Sequence, residues 1–181
     1  SNKKNPLKKI DTKQFVIETL DNAKKLLDED KISQAEAEFI KVIEVEPNNP
    51  QAYSGLTQVY VGSRDYKKAR ETCRHCLKIL NKINKKNLVN GTRNQLASCY
   101  SDLGEIYQFE GRSSLALKNF EKSVELEPNN PRFLDLLLKI SIILRRKQLA
   151  LKTFNALKKA DPNNQKLPGL KAEIDKIEPD L

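Results

Sequence analysis

The spacing of apolar residues along the chain has the period of an α-helix. Two stretches show it best, and their periodic residues are Tyr53, Leu56 and Tyr60, followed by Tyr100, Leu103 and Tyr107. Offsets of three and seven place such residues on one face of a helix. Helix-disfavouring residues follow each stretch, at 62–65 and at Gly111. The pattern therefore predicts helices joined by short turns.

Alanine recurs within these amphipathic stretches at a fixed interval. Ala35, Ala69, Ala116 and Ala150 are separated by 34, 47 and 34 residues, and 47 equals 34 plus an insertion of 13 at 84–96. The residue four positions after each alanine is bulkier than alanine; these residues are, in order, Phe39, Cys73, Phe120 and Phe154. A small and a large residue one helical turn apart suit two helices that pack closely.

A proline-asparagine segment separates the predicted helical pairs. Glu-Pro-Asn-Asn-Pro occurs at 46–50 and at 127–131, and Asp-Pro-Asn-Asn-Gln occurs at 161–165. Asn49 and Asn130 can each cap the helix that follows, and the next proline suits the first turn of that helix. These segments are therefore expected to connect one helical hairpin to the next.

This arrangement resembles the tetratricopeptide repeat, a helical hairpin with the pattern W-x2-L-G-x2-Y…A-x3-F…P. The corresponding repeats are 16–49, 50–83, 97–130 and 131–164, and the third matches best, with Tyr100 in place of the tryptophan. The first and last repeats match less well, as expected for the ends of a stacked array. The resemblance implies an all-α fold, a right-handed α-α superhelix of about four hairpins in a single domain.

The flanking segments complete this plan. Residues 165–178 predict a capping helix, whose apolar stripe is Leu170, Ile174 and Ile177. The insertion at 84–96 predicts that the second helix of repeat two runs long and that the first helix of repeat three starts early. The residues of the predicted turn and capping box are Asn90, Gly91, Thr92 and Gln95. Residues 1–13 are basic and aperiodic, which predicts a flexible linker before a domain at 14–181.

Composition narrows the class of protein. The chain is 38% hydrophobic and 31% charged, too apolar for a disordered chain. Its longest apolar run, 133–144, is short and charged for a membrane span. Three cysteines cannot all pair, which favours a reducing, cytoplasmic location. The opening Ser1-Asn2 resembles a protease-cleavage remnant, and the absence of methionine suggests a fragment of a longer protein.

The resemblance implies protein–protein interaction, in which the first helices of the repeats line a groove for a peptide or a partner helix. It implies neither enzymatic activity nor a cofactor, and the chain has one histidine and no glycine-rich phosphate loop. The predicted groove residues are Lys24, Gln51, Ser54, Gln58, Ser98, Ser101, Glu105, Gln108, Arg132, Asp135 and Lys139. An alternative is the interaction domain of a longer regulatory or secretion-related protein.

One subclass of the family is disfavoured. Co-chaperone repeats that bind the C-terminal carboxylate of heat-shock proteins carry lysine, asparagine and arginine on these faces. The matching positions here are Leu20, Lys24, Gly55 and Asp102, of which only Lys24 is basic.

The positive charge is concentrated in one stretch. Residues 64–96 carry ten lysines and arginines against two acids, while the whole chain has a net charge of +9. The predicted basic patch is Lys78, Lys82, Lys85, Lys86 and Arg93. It indicates either a site for nucleic acid or an acidic protein, or a solvated face. Nucleic acid is disfavoured, because the tyrosines that could stack on bases are assigned to the core.

Two local features admit more than one interpretation. Cys73, His75, Cys76 and Cys99 could supply four zinc ligands, but His75 is turned roughly 200° from Cys73 on a helix, so buried structural cysteines and no metal site are expected. Leu138 adds apolar surface to repeat four, together with Ile140, Ile142, Ile143 and Leu144. Either the C-terminal helix covers this surface, or the chain forms a homodimer through it.

Overall fold

A computed structural model describes residues 6–86 and 90–179, with side chains from residue 11 onwards except at 84–86 and 90. The helices are α1 (Pro6–Asp28), α2 (Ile32–Val45), α3 (Pro50–Gly62), α4 (Tyr66–Lys86), α5 (Asn90–Phe109), α6 (Ser113–Leu126), α7 (Pro131–Ile143), α8 (Lys147–Ala160) and α9 (Leu167–Asp175). The fold is an all-α helical-repeat solenoid, as predicted. It contains two compact units, Ser1–Ile79 and Leu80–Leu181.

A residue with positive φ marks the turn inside each hairpin. These residues are Asp30, Arg64, Gly111 and Arg145, with φ of 58°, 60°, 74° and 57°. Their spacing of 34, 47 and 34 residues is that of the alanines. After the last of these turns, the Arg146 N–H donates to the Ser141 carbonyl at 2.9 Å, the long bond of a Schellman motif. The same turn geometry therefore recurs at one repeat position.

Asparagine caps begin α3 and α7, as predicted. Asn49 Oδ1 accepts a hydrogen bond from the Ala52 N–H at 3.0 Å, and Asn130 Oδ1 accepts one from the Arg132 N–H at 3.0 Å. The amide of each asparagine also donates to a glutamate three residues earlier, Glu46 or Glu127. Each connecting segment thus satisfies its own polar groups while it starts a helix.

The small-then-large pairs lie in the cores of the two units. In the first unit, Ala35 and Phe39 of α2 are fully buried with residues of α1 and α3. In the second unit, Ala116 and Phe120 of α6 are fully buried as well. The predicted contribution of these positions to helix packing is therefore confirmed.

The C-terminal helix α9 covers the apolar surface of repeat four. Leu138 is fully buried in one cluster with Leu167, Leu170 and Ile174. This confirms the first of the two interpretations for Leu138. Ile143, however, remains 61% exposed, and the homodimer stays a prediction.

Two local expectations differ from the structure, and one is confirmed. The long α4 and the early start of α5 agree with the sequence. Helix α5 begins at Asn90, so Thr92 lies inside the helix and is not its cap; such boundaries move by one or two residues because terminal turns fray. Helix α1 begins at Pro6, so residues 6–13 are helical where a linker was predicted. Residues 1–5 of that linker lie outside the described residues.

Candidate partner-binding surface

An ion pair joins the first helices of repeats three and four in the second unit. Arg132 near the start of α7 reaches Asp102 in the middle of α5, with Nη2 and Oδ1 at 3.9 Å. Other half-buried or exposed residues of the predicted groove are Ser98, Glu105 and Gln108 on α5 and Asp135 and Lys139 on α7. These seven residues are called the α5–α7 surface below.

Asp102 and Glu105 are carboxylates in a poorly solvated environment. Burial, strengthened by repulsion from Glu105, raises the pKa of Asp102 to about 7, and Arg132 only partly opposes this shift. Burial also raises the pKa of Glu105. The Asp102 side chain is 12% exposed, whereas the side chain of Arg132 is 57% exposed. The buried acid therefore has a solvent-accessible cation as its partner.

Asp135 and Lys139 form a second charged pair on α7. Their Oδ2 and Nζ atoms are 2.7 Å apart, one helical turn from each other. The other carboxylate oxygen, Asp135 Oδ1, is buried and accepts no hydrogen bond from the described residues. An oxygen in this state is costly unless a donor reaches it. The α5–α7 surface thus holds three carboxylates and two cations.

One predicted groove residue of this unit does not reach the surface. Ser101 is fully buried, and its hydroxyl donates to the Ser98 carbonyl at 2.8 Å. Ser101 therefore cannot contact a partner directly, and its neighbour Asp102 borders the surface instead. Ser98 and Gln108 are half-buried, and Arg132 and Lys139 are exposed.

In the first unit, the predicted groove residues lie on α1 and α3. Lys24, Gln51 and Gln58 are exposed, and Ser54 is half-buried. Gly55 lies against the ring of Phe39, and Leu20 is buried. Of the positions that a carboxylate-binding repeat would use in this unit, only Lys24 is an exposed cation.

The basic patch is only partly described. Lys78, Lys82 and Arg93 are exposed, whereas the side chains of Lys85 and Lys86 lie outside the described residues. The prediction that four tyrosines are needed for the core is confirmed for Tyr60 and Tyr107. Tyr107 is buried and the half-buried Tyr60 packs against the core of the first unit, whereas Tyr53 and Tyr100 are half-buried.

The three cysteines are buried, as predicted, and the Cys76 thiol donates to the Pro50 carbonyl at 3.4 Å. His75 is exposed on another face of α4 and packs edge-on against Tyr53, with ring centroids 4.5 Å apart. Among the described side chains, no three histidine, cysteine or acidic residues are grouped so that they could hold a metal ion. Within the described ranges, no helix is long and apolar enough to cross a membrane.

Comparison with known proteins places the chain by its fold. Residues 95–130 match the family described as tetratricopeptide repeat. No curated protein matches the sequence. The structure of YrrB, a tetratricopeptide-repeat protein with an unusual peptide-binding site, superposes with a TM-score of 0.64 at 21% identity, covering 96% of this chain and 92% of that one.

Two further structures share the fold. The Cut9–Hcn1 hetero-tetramer of the APC/C superposes with a TM-score of 0.72 at 15% identity, over 88% of this chain and 29% of that chain. The first tetratricopeptide domain of Spaghetti (RPAP3), bound to the HSP90 peptide SRMEEVD, superposes with a TM-score of 0.59 at 22% identity, over 72% of this chain and 94% of that one. The chain therefore carries a tetratricopeptide repeat at 95–130 and has the fold of tetratricopeptide-repeat proteins.

Proposed function

We propose that this chain is a non-enzymatic protein-interaction module that binds a segment of a partner protein on the α5–α7 surface. The observation that carries the proposal is the desolvated Asp102, which stands beside Glu105 and faces the exposed Arg132. An acid in this environment destabilises the fold when it ionises, and strongly perturbed acids cluster at functional sites.

The chemistry of the surface favours a partner segment with a cationic group. The ionised forms of Asp102 and Glu105 are short of positive charge, since Arg132 lies 3.9 Å from Asp102 and is largely solvated. A lysine or arginine side chain of a partner would supply that charge. The charge of such a partner would be complementary to that of the α5–α7 surface.

Two of the structural likenesses support peptide binding in general. YrrB is described as having an unusual peptide-binding site, and the structure of the Spaghetti domain contains the HSP90 peptide SRMEEVD. That acidic peptide would meet like charge at Asp102, Glu105 and Asp135, so we propose a different class of ligand for this chain. Three buried thiols favour a reducing compartment, in keeping with the proposed cytoplasmic location.

The proposal is tested by affinity capture from native lysate with three baits. The baits are the wild-type chain, Glu105→Lys on the α5–α7 surface, and Glu125→Lys, the same charge change at an exposed position of α6. We expect a protein that the wild type and the Glu125→Lys control capture equally. Glu105→Lys should capture at least about tenfold less of it, because one charge reversal at a desolvated contact costs about 1.4 kcal/mol or more of binding free energy.

Equal capture by the three baits would contradict the proposal. A partner lost from neither variant but lost on neutralising Lys78 and Lys82, with steep dependence on salt, would instead indicate a polyanion bound by the basic patch. Circular dichroism of each bait, at the same temperature, separates loss of binding from loss of fold.

A further inference from the structure

Helix α9 occupies the place of a further first helix in the repeat series. Lys166, immediately before α9, and Gly169 and Glu173 on α9 follow Arg132, Asp135 and Lys139 of α7 by 34 residues each. Helix α9 also packs into the same apolar cluster as α7, through Leu170 and Ile174. The row of first helices in the second unit therefore continues past α7 onto α9.

An open cleft of about 620 Å³ lies between α7 and α9. Its lining is Lys139, Ile142 and Ile143 from α7, Lys166 at the N-cap of α9, and Gly169, Leu170 and Glu173 from α9. Its floor is apolar, and Ile143 is 61% exposed there. An aliphatic side chain of an incoming segment would remove that isoleucine from water.

Gly169 is what keeps the middle of the cleft open. A Cβ at this position would meet no atom within 4 Å, whereas the equivalent residue of the preceding repeat is Asp135. Gly169 lies within α9 and has no positive φ, so the fold does not require a glycine there. A side chain placed at 169 would extend into free space inside the cleft.

The charges that line the cleft favour a negatively charged group next to the aliphatic side chain of the ligand. Lys139 Nζ is already engaged by Asp135 at 2.7 Å. Lys166, at the N-terminal end of α9, forms no ion pair with the described residues. Glu173 is seven residues further on, about 10.5 Å along the helix axis. A ligand carboxylate is therefore attracted to the Lys166 end of the cleft.

We infer that the α7–α9 cleft is an anchoring site for a partner segment that carries a branched aliphatic side chain directly beside a carboxylate. The aliphatic group packs on Ile142, Ile143 and Leu170, and the carboxylate pairs with Lys166. The inference rests on the proposed function, since it describes a second contact of the same bound segment. It extends the interaction surface beyond the repeats to the capping helix.

The test uses the full chain and a synthetic probe, the heptapeptide acetyl-Gly-Ser-Asp-Leu-Glu-Ser-Gly-amide. Amide shifts are followed by NMR during titration of the ¹⁵N-labelled protein. We expect saturable shifts at Ile142, Ile143 and Gly169. A control peptide with alanine for leucine should bind roughly tenfold more weakly, since the buried aliphatic group provides most of the contact.

Two variants separate binding from folding. Gly169→Leu fills the cleft and also replaces a glycine inside a helix, so we expect a higher melting temperature together with loss of the saturable shifts. Lys166→Glu should weaken binding severalfold, whereas Lys152→Glu, on the exposed face of α8, should leave it unchanged.

Three results would overturn the inference: no saturable shift at the cleft, equal binding of the leucine and alanine peptides, or unimpaired binding to Gly169→Leu. Concentration-dependent shifts at the cleft without peptide, with a dimer in sedimentation, would also overturn it by assigning the cleft to a second copy. If capture from lysate depends on Glu105 and the peptide causes no saturable shifts at the cleft, this inference fails but the proposed function stands.

Discussion

The ring of Phe39 on α2 lies directly against the backbone of α3 at Gly55. A Cβ built on Gly55 would lie 2.2 Å from Cε1 and Cζ of that ring. Gly104 on α5 has the same relationship with Phe120 on α6, at 2.5 Å from Cε1. In the first case the two helices belong to successive repeats, and in the second they belong to one hairpin. Each phenylalanine therefore requires a glycine on one adjacent first helix.

The change Gly55→Ala should destabilise the protein. Because Phe39 is fully buried, its ring cannot move aside without disturbing its neighbours, and overpacking of this kind costs roughly 1–3 kcal/mol. Urea denaturation followed by circular dichroism measures the change. Gly169→Ala, at a helical position with open space, should instead stabilise the chain by about 1 kcal/mol.

A second substitution tests whether the contact itself is the cause. The double variant Gly55→Ala with Phe39→Leu should lose less stability than the sum of the single variants, because the smaller side chain leaves room for the added methyl group. Strict additivity of the two losses would show that Gly55 is not required by the Phe39 ring.

Positions that repeat every 34 residues were predictable from the sequence because each has one local physical cause. The Asn49 cap depends on contacts within three residues, and the Phe39 position depends on a helical period. The burial of Ser101 was not predictable, since neighbouring residues on a helix differ by about 100° and the packing around α5 decides which one is buried. The α7–α9 cleft was missed for a related reason. Its lining comes from two helices that are far apart in sequence, and Gly169 gives no periodic signal.

Gly111 should tolerate alanine poorly, although glycine elsewhere in a helix is a weak residue. Its φ of 74° lies in the left-handed region, which costs an alanine roughly 1–2 kcal/mol. Part of this is offset because alanine has less entropy to lose on folding, so we expect Gly111→Ala to lower the free energy of unfolding by about 1 kcal/mol.

Thermal denaturation of Gly111→Ala, Gly111→Asn and Gly91→Ala tests this prediction. Asparagine tolerates the left-handed region better than alanine, so Gly111→Asn should lose less stability. Gly91 lies in α5 with open space around its Cα, and its replacement should not lower the melting temperature. An order in which Gly111→Ala is the most stable of the three would contradict the assigned turn geometry.

The half-buried Asn130 cap of α7 should contribute measurably to stability. Asn130→Ala removes the acceptor of the Arg132 N–H and the donor to Glu127, and loss of such a cap typically costs about 1 kcal/mol. Asn130→Asp keeps the acceptor and should retain part of that stability. The adjacent Asn129→Ala, at an exposed residue, serves as the matched control in denaturant unfolding. Equal losses of stability from Asn129→Ala and Asn130→Ala would show that the Asn130 cap does not stabilise this segment.

Asp102 should make the protein less stable as the pH rises. Its pKa lies at about 7 in the folded chain, against an ordinary value of 3.8, so the folded state holds this proton more tightly than the unfolded state does. Below about pH 4 the group is protonated in both states and burial carries no penalty. As the pH rises to about 7, the carboxyl ionises at the expense of folding, and the penalty reaches its full value of roughly 2–4 kcal/mol.

The variant Asp102→Asn should therefore match the wild type near pH 4 and exceed it in free energy of unfolding at pH 8. A residual slope of the same sign should persist, because burial raises the pKa of Glu105 too. Urea unfolding at half-unit pH intervals measures both curves, with Glu125→Gln on the exposed face of α6 as the control. If Asp102→Asn were less stable than the wild type at pH 8, the ion pair with Arg132 would outweigh desolvation, and the surface would already be electrostatically satisfied without a partner.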